Sequence, residues 1–344
     1  MATLLTYDQL LQRTTGNKRT LLLGNGFSMA YNKERFSFTS LLESAIKAGL
    51  IKINTPIYEI FQEFETKDFE TVVNLLETAT KVTKKYSAIT DESETLIVRD
   101  ASKLKNHLVS IITNNHPEKI TDISDEEFLC CANFINEFDK IYTLNYDLLL
   151  YWVAIKLEDF MRTNHIEKRR LRILDGFGNS EEDGSEDVVY ANNSSKPFTL
   201  HYLHGALHIF DKKYEIIKQT YSRTSKPLKD QTLENINQDI YPIFVSEGTS
   251  QQKKAKIIHN AYLNHCYKSL SKISGDLIIF GTMLKTNDDH IRDAIKHSKI
   301  NKIYIGVSSV AAIDDFDSFV EELKVVAHPK TVLFYDYRTA KVWR

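Results

Sequence analysis

Five short runs of consecutive apolar residues constrain the fold of this chain more than any other feature of its sequence. Apolar side chains on successive positions indicate strands that are buried on both faces, as in parallel sheets. Helical patterns follow the first four runs. This strand–helix alternation predicts an α/β fold with a Rossmann-like open parallel sheet flanked by helices. The runs are Arg19–Leu23, Lys140–Leu144, Asp276–Phe280, Lys302–Ile305 and Thr331–Tyr335.

A long stretch with helical periodicity separates the first two of these strands. Phe69–Lys85 carries its apolar residues near one helix face, and Ser124 with Glu127 resembles a capping box at the start of another helix. Because these patterns lie between two strands of one sheet, we predict a single domain over residues 1–344 with a helical insertion over Lys52–Phe138. The insertion is interpreted as a lid or as an oligomerisation module.

Two charged segments are expected to face solvent. Asp175–Pro197 is acidic and rich in small residues, which predicts a flexible loop. A loop of this kind gives its carboxylates no fixed geometry, so we expect no metal site there. The basic cluster Lys253–Lys256 is typical of a solvated helix face, and a phosphate contact by Lys253 or Lys254 is the alternative.

The charge and hydropathy of the chain exclude several classes of protein. The formal net charge is −2 over 344 residues, so no whole-chain attraction to nucleic acid or to an anionic membrane is expected. The N-terminus, Met1 to Lys18, lacks the apolar core of a signal peptide, and no later stretch is apolar enough to span a bilayer. We expect a cytoplasmic protein.

The cysteines argue against a zinc module. There are three of them, Cys130, Cys131 and Cys266, and a four-thiolate zinc site needs one more. A disulfide framework is not expected either, which fits a reducing cytoplasm. We predict that the cysteines act as small buried apolar residues and that the protein holds no zinc.

The first strand runs into a glycine turn, Gly24-Asn25-Gly26-Phe27-Ser28. Gly24 and Gly26 permit close backbone approach and positive φ. If a helix begins near Ser28, its free amides can hold a diphosphate. The third glycine of the usual dinucleotide fingerprint is missing, so a plain strand–helix turn is an equal alternative.

The second strand ends in Thr143-Leu144-Asn145-Tyr146-Asp147. Ligands bind at the carboxyl ends of the strands in open α/β sheets, beside the point where the strand order reverses. Asn145 and Asp147 are therefore candidates for binding or catalysis. Asp147 also stands where it would cap a helix over Leu148–Leu157.

A histidine–glycine pair follows a short strand over Thr199–Leu203. His204 is placed to point into a cleft, and a histidine can take up a proton near neutral pH. His201, His204 and His208 have spacings that suggest metal ligands on a helix. Gly205 and the surrounding residues instead favour strand and turn, so we interpret His201 and His208 as structural residues.

A later strand ends in Gly281-Thr282, and Asp289 and His290 follow it. For these last two residues, a place in the first turn of a helix is the alternative to a role in a site. The sequence has no glycine-rich loop followed by Lys-Ser/Thr, which excludes a P-loop NTPase. It also has no Gly-x-Ser-x-Gly elbow, which disfavours a serine hydrolase.

The order of these motifs resembles the sirtuin superfamily. A glycine turn, Thr-x-Asn-x-Asp, His-Gly and Gly-Thr each stand at a strand end. Within the superfamily, the chain is similar to the bacterial sirtuin-like domains of anti-phage defence. Those domains share the Thr-x-Asn-Tyr-Asp, Leu-His-Gly and Asp-His-Ile forms and deplete cellular NAD once infection is sensed. The resemblance covers Arg19–Met29, Lys140–Tyr151, Thr199–Ile209 and Asp276–Ile291.

The resemblance implies an NAD glycohydrolase, which takes NAD as its substrate and releases nicotinamide and ADP-ribose. Asn145 would orient the nicotinamide ribose and the attacking water, Asp147 would hold neighbouring groups, and His204 would accept a proton. Bond cleavage would pass through an oxocarbenium-like state. The NAD-binding set would comprise Gly24, Asn25, Gly26, Phe27, Ser28, Thr143, Gly281, Thr282 and Asp289.

Departures from the deacylating sirtuins leave other functions open. Asn25 replaces the alanine of their Gly-Ala-Gly turn, and Leu144 replaces their glutamine. Tyr31–Phe38 stands in place of their cofactor loop. A protein deacylase therefore ranks below the hydrolase and below a non-catalytic scaffold or sensor that binds NAD or ADP-ribose and works with a partner ATPase.

No second sensor domain is evident in the chain. We therefore expect control through self-assembly into a homo-oligomer or through a separate partner. A HerA-type ATPase is one partner known for the family that the chain resembles.

Overall fold

A six-stranded parallel sheet forms the centre of the computed structural model, in the order β11-β10-β9-β1-β2-β5. The structure describes residues 4–36, 41–67, 69–86, 90–114, 116–117, 119–163, 170–179, 187–191, 197–212, 214–220, 226–236, 238, 240–245 and 249–344. The six strands are β1 (Arg19–Leu23), β2 (Lys140–Thr143), β5 (Leu200–Tyr202), β9 (Ser274–Phe280), β10 (Lys299–Val307) and β11 (Thr331–Asp336).

The strand order is that of a doubly wound Rossmann sheet. From β1 the chain adds β2 and β5 on one side, then returns to add β9, β10 and β11 on the other side. The direction of winding therefore reverses between β1 and β9, whose last residues Leu23 and Phe280 are paired. In open α/β sheets, ligands bind in the crevice outside the carboxyl ends of the strands at this reversal.

The five predicted strands and the α/β fold class are confirmed. All five residues of β1 are buried, including Arg19 and Thr20, which precede its three consecutive leucines. The sixth strand, β5, adds to the edge beside β2 and lies within the short strand predicted before His204. A three-residue edge strand has too few positions for a clear apolar run, so its place in the sheet was not evident.

Helices flank the sheet and fill the stretches between its strands. The helix predicted to begin after Ser124 is confirmed, and the hydroxyl of Ser124 accepts from the backbone N–H of Glu127 as a capping box requires. The helices of the described residues are Tyr7–Arg13, Gly26–Tyr31, Lys33–Phe36, Leu41–Lys47, Pro56–Glu63, Phe69–Lys85, Asp91–Asn114, Asp125–Ile135, Leu149–Thr163, Leu228–Ile236, Ser250–His259, Ala261–Leu270, Asp289–His297 and Asp317–Lys324.

A second, antiparallel sheet was not predicted. It has the order β3-β4-β7-β6-β8 and consists of β3 (Phe177–Asn179), β4 (Val188–Tyr190), β6 (Gly205–Lys212), β7 (Glu215–Lys218) and β8 (Pro242–Phe244). Two of these strands lie inside the acidic segment that we interpreted as a flexible loop, so that interpretation is wrong for both of them. Residues 180–186 and 192–196 of the segment lie outside the described residues.

Buried ion pairs explain part of the acidic composition of this segment. Asp175 lies 2.5 Å from the ammonium of Lys218, and both side chains are buried. Asp187 pairs with Lys212 at 2.7 Å. These carboxylates therefore hold the second sheet together instead of facing solvent.

The helical insertion has its own apolar core, but its limits differ from the predicted ones. This second core includes Leu42 and Ala45, which precede the predicted start, and ends at Ile111. The helix Asp125–Ile135, which we placed in the insertion, contributes Phe128 and Ile135 to the main core instead. Apolar periodicity identifies a helix but not the core on which it packs.

The described residues include no helix that is both long enough and apolar enough to cross a bilayer. Cys131 and Cys266 are buried, as predicted, whereas Cys130 is half-buried and its thiol lies 3.4 Å from the carbonyl of Lys341. All three thiols are free.

Candidate functional site

Backbone hydrogen bonds join the four motif segments along the carboxyl edge of the sheet. The N–H of Gly26 donates to the carbonyl of Gly281 over 2.8 Å. On the other side of β1, the N–H of Leu144 donates to the carbonyl of Leu23 over 2.9 Å, and the N–H of Leu203 donates to that of Thr143 over 2.9 Å. The motifs that the sequence analysis singled out one by one therefore form one continuous rim.

The glycines at the strand reversal are required by close packing between β1 and β9. A Cβ at Gly24 would lie 2.4 Å from the Cβ of Thr282, and a Cβ at Gly26 would lie 2.4 Å from the Cα of Gly281. The predicted close approach is confirmed, but it joins two backbone segments of this chain. Positive φ is found at Gly281 (+73°) and not at Gly24 or Gly26.

Three site residues form a hydrogen-bonded group that we call the Ser28 chain: Ser28, Asn145 and Asp147. The hydroxyl of Ser28 donates to Asp147 Oδ2 over 2.5 Å, and the amide Nδ2 of Asn145 donates to Ser28 Oγ over 3.0 Å. All three side chains are buried. All three were predicted as site residues, and the structure brings their side chains together.

The direction of these hydrogen bonds follows from Asp147, which accepts at one end of the group. The backbone N–H of Leu149, in the first turn of the helix Leu149–Thr163, donates to Asp147 Oδ1 over 2.9 Å. The expected helix-capping role of Asp147 is thereby confirmed. Because an ionised carboxylate only accepts, Ser28 must donate to it, and the Oγ lone pairs then accept from Asn145. The carbonyl oxygen of the Asn145 amide takes no part in these bonds.

Burial and hydrogen bonding act on Asp147 in opposite directions. Burial raises the pKa of its carboxyl above the usual value, while the Ser28 hydroxyl and the Leu149 N–H lower it. Burial is the larger effect. The two donors are what allow a carboxylate to be held at this depth without a cation beside it.

Several residues predicted to touch a cofactor turn their side chains into the protein. The ring of Phe27 packs on Trp343 with ring centres 5.2 Å apart. The hydroxyl of Thr143 accepts from the backbone N–H of Asn145 over 3.0 Å. Asn25 is half-buried, and its Nδ2 donates to the carbonyl of Phe36 over 2.7 Å. These residues shape the rim, and Ser28 is fully buried.

His204 belongs to a second group, which we call the histidine cluster: His204, His290, Ser250, Asp288 and Lys253. His204 Nε2 lies 3.1 Å from His290 Nε2, and both rings are buried. Ser250 Oγ lies 3.1 Å from His290 Nδ1 and accepts from the backbone N–H of His290 over 2.7 Å. Four members of this cluster were not predicted as site residues.

Lys253 is the cation of the histidine cluster. Its side chain is only 4% exposed, and its ammonium lies 3.0 Å from Asp288 Oδ1. The interpretation of Lys253 as part of a solvated helix face is therefore wrong. Burial and the charge of Lys253 lower the pKa of His204 to about 3, and burial, His204 and Lys253 lower that of His290 to about 3. Both rings are neutral at physiological pH.

His204, Asp288 and His290 are the one group among the described residues that offers three metal-ligand atoms within 4.8 Å of one another. Two imidazoles and a carboxylate suit a transition metal. However, Lys253 already binds the carboxylate. The two ring centres are 5.3 Å apart with the facing nitrogens 3.1 Å apart, so the rings meet nitrogen to nitrogen. We assign these residues to a hydrogen-bonded cluster and not to a metal site.

His116 supports the site from the end of the helical insertion and was missed in the sequence. Its Nε2 accepts from the backbone N–H of Leu148 over 3.0 Å, and its Nδ1 donates to the carbonyl of Pro117 over 2.9 Å. Burial lowers the pKa of its imidazole to about 4. No local pattern marks His116, since its partner Leu148 lies 32 positions away.

The remaining predicted residues lie apart from both groups. Asp289 is half-exposed and lies 3.7 Å from Arg292 in the first turn of its helix, in agreement with the alternative given above. The hydroxyl of Thr282 accepts from the backbone N–H of Leu284 over 3.2 Å. His201 and His208 are buried and stack on Tyr142 and Tyr151, as expected of structural residues.

No curated protein matches the chain. The profile of a protein family described as a domain of unknown function, DUF4917, matches residues 21–343. The matched region includes every segment of the rim, from the glycine turn to Gly281 and Thr282. The chain therefore belongs to this family of domains of unknown function.

Proposed function

We propose that this protein is an NAD⁺ glycohydrolase, which cleaves the bond between nicotinamide and ribose. One observation carries the proposal: the Ser28 chain lies beside the strand reversal of a Rossmann sheet. That reversal is where such sheets bind nucleotides. The Ser28 chain holds the side-chain amide of Asn145 at the same edge. The ordered likeness of the motifs to sirtuin-like NAD hydrolases supports the choice of substrate.

The proposed reaction needs little covalent chemistry from the protein. The bond from ribose C1′ to the nicotinamide nitrogen breaks, and its electron pair leaves with nicotinamide. A water oxygen bonds to C1′, and the proton that this water loses passes to a base or to solvent. An oxocarbenium-like state is sensitive to the position of the water and of the ribose hydroxyls.

Each group of residues has a distinct part in this proposal. By the resemblance, the diphosphate would lie against the turn that contains Gly24 and Gly26. The Asn145 amide oxygen would accept from a ribose hydroxyl or from the attacking water, with its orientation set by Ser28 and Asp147. His204 would be the base, which contributes roughly 10²–10⁴-fold where it acts.

The experiment follows the release of nicotinamide from NAD by chromatography, with native protein, Asn145→Ala and His204→Ala. We expect release by the native protein and a loss of about 100-fold or more in each variant. Asn301→Ala removes an exposed asparagine of β10 and should leave the rate unchanged. Unchanged NAD consumption in both site variants would contradict the proposal.

A second candidate is a non-catalytic scaffold or sensor that binds NAD or ADP-ribose. The state of His204 favours it, because its Nε2 already faces His290 and burial lowers the pKa of the ring, and both effects weaken it as a base. Saturable binding of ADP-ribose in calorimetry, without nicotinamide release under any condition, would favour the scaffold. A protein deacylase ranks third, and an acetyl-peptide assay that depends on NAD would detect it.

The cellular role is proposed from the resemblance alone. It is that of a cytoplasmic anti-phage effector that depletes NAD and so aborts the infection. Such an activity must be restrained in healthy cells, so we propose a homo-oligomer or a complex with a HerA-type ATPase. Light scattering tests this: a monomer that is fully active without a partner would contradict it.

A further inference from the structure

The contacts of the histidine cluster bear on which ring nitrogens carry protons. A backbone hydrogen bond with Leu144 raises the pKa of His204, which is the effect of a carbonyl that accepts from the ring. Since Nε2 of His204 faces His290, the donor is Nδ1, and Nε2 of the neutral ring is left as an acceptor. His290 must then carry its proton on Nε2. Its Nδ1 is the acceptor for the hydroxyl of Ser250.

These contacts form a chain in which the ring nitrogens of His290 and Nε2 of His204 each have a partner. The Ser250 hydroxyl donates to His290, His290 donates to His204, and His204 donates to Leu144. The reverse direction would turn an unprotonated nitrogen of His204 towards a carbonyl oxygen, and two acceptors repel. The buried ammonium of Lys253 opposes a second proton on either ring.

We infer that His290 occupies the proton-accepting atom of His204 in the resting protein, so that His204 becomes a base only when His290 withdraws. The inference rests on the proposed function and describes its regulation. His204 has two ring nitrogens, and both are engaged. A substrate hydroxyl or water can reach Nε2 only in place of the N–H of His290. The contact is therefore autoinhibitory.

The first test determines which ring nitrogens carry protons and requires no enzymatic turnover. In native protein with ¹⁵N-labelled histidine, we expect His204 to be protonated on Nδ1 alone and His290 on Nε2 alone. Signals are assigned by their loss in His204→Asn and His290→Ala. Exposed His328, whose ring has no hydrogen bond among the described residues, serves as the control, because free imidazoles average between both tautomers. A proton on Nε2 of His204 in the native protein would overturn the inference.

The second test measures the rate of nicotinamide release at neutral pH. We expect His290→Ala to raise the rate about tenfold, because an engaged base forfeits part of its roughly 10²–10⁴-fold contribution. Ser250→Ala removes the donor to His290 Nδ1 and should raise the rate less. His265→Ala, a half-buried histidine outside the cluster, should leave the rate unchanged.

The outcomes separate this inference from the proposed function. An equal or lower rate in folded His290→Ala overturns the inference, while release by native protein still supports the hydrolase. If His290→Ala does not fold, Ser250→Ala decides by the same criterion. If no protein releases nicotinamide, the proposed hydrolase is contradicted, and the proton positions alone decide whether His290 engages His204.

Discussion

Ser28 and Asp147 lie 119 positions apart in the sequence, and their side chains meet in a 2.5 Å hydrogen bond. This bond ties the turn after β1 to the turn after β2. Asn145 depends on it, because Ser28 can accept from the Asn145 amide only while its own proton is directed to Asp147. The orientation of one candidate catalytic side chain is thus set by a serine that is itself inaccessible to solvent.

Ser28→Ala should lower the free energy of unfolding by about 1–3 kcal/mol. The variant leaves a buried carboxylate oxygen and a buried amide N–H without partners, and such losses cost this much. Urea unfolding at neutral pH measures the change. Ser102→Ala removes an exposed hydroxyl that bonds within its own helix, and it should change stability by less than about 0.5 kcal/mol. Equal effects in the two variants would contradict this account of Ser28.

Gly281→Ala should destabilise the protein by about 2–5 kcal/mol. An alanine at this position would have to keep the left-handed backbone conformation, with φ +73°. Its Cβ would lie 2.6 Å from the Cα of Gly26. Gly178→Ala is the matched control, since its Cβ meets nothing within 4 Å and its φ is not positive. Thermal unfolding of both variants distinguishes close packing at the strand reversal from a general cost of losing a glycine.

Low pH should lower the free energy of unfolding through the protonation of His116. The pKa of its imidazole is lowered to about 4 in the folded state from an ordinary value of 6.5. The unfolded chain therefore binds a proton first as the pH falls. Stability is lost progressively between pH 6.5 and about 4 and is not lost further by this group below that. The loss amounts to about 3 kcal/mol.

The test for His116 compares native protein with His116→Gln. We expect native protein to lose about 3 kcal/mol more than the variant between pH 7 and pH 4. Other buried histidines and carboxylates act alike in both proteins, so the difference isolates this ring. If the free energy of unfolding falls equally in native protein and in His116→Gln between these pH values, His116 does not titrate as its burial requires.

Lys218→Met should lower the free energy of unfolding more than most other changes in the second sheet. It leaves Asp175 buried without its cation, which costs about 3–5 kcal/mol. Lys218→Met combined with Asp175→Leu should recover most of that loss, because no unpaired charge remains. Chemical unfolding of the two single variants and the double variant gives the coupling energy. Additive losses would contradict a direct pair.

The central sheet was predictable because its strands are buried on both faces. A run such as Ile278–Phe280 has no solvent-facing position, so its sequence is apolar without interruption. The second sheet was not predictable, since strands such as Val188–Tyr190 are three residues long and stand in acidic surroundings. The carboxylates that suggest a loop there are buried against lysines far along the chain.

The candidate site was predictable in part. Asn145, Asp147 and His204 follow strands directly, so their place at the carboxyl edge follows from the fold. Lys253 and His290 lie on helices, and their sequences resemble a basic surface and an ordinary helix start. Only tertiary packing brings Lys253 to Asp288, 35 positions away, and His290 to His204, 86 positions away.

The pairing of β1 with β9 also sets when this protein can acquire its crevice during synthesis. The glycine turn leaves the ribosome early, but its partner segment at Gly281 is made about 250 residues later. At roughly 5–20 residues per second, this delay amounts to about 10–50 s. A nascent chain that has not reached β9 lacks one side of the crevice at the strand reversal. Any activity that needs both sides of this crevice would therefore appear only late in synthesis.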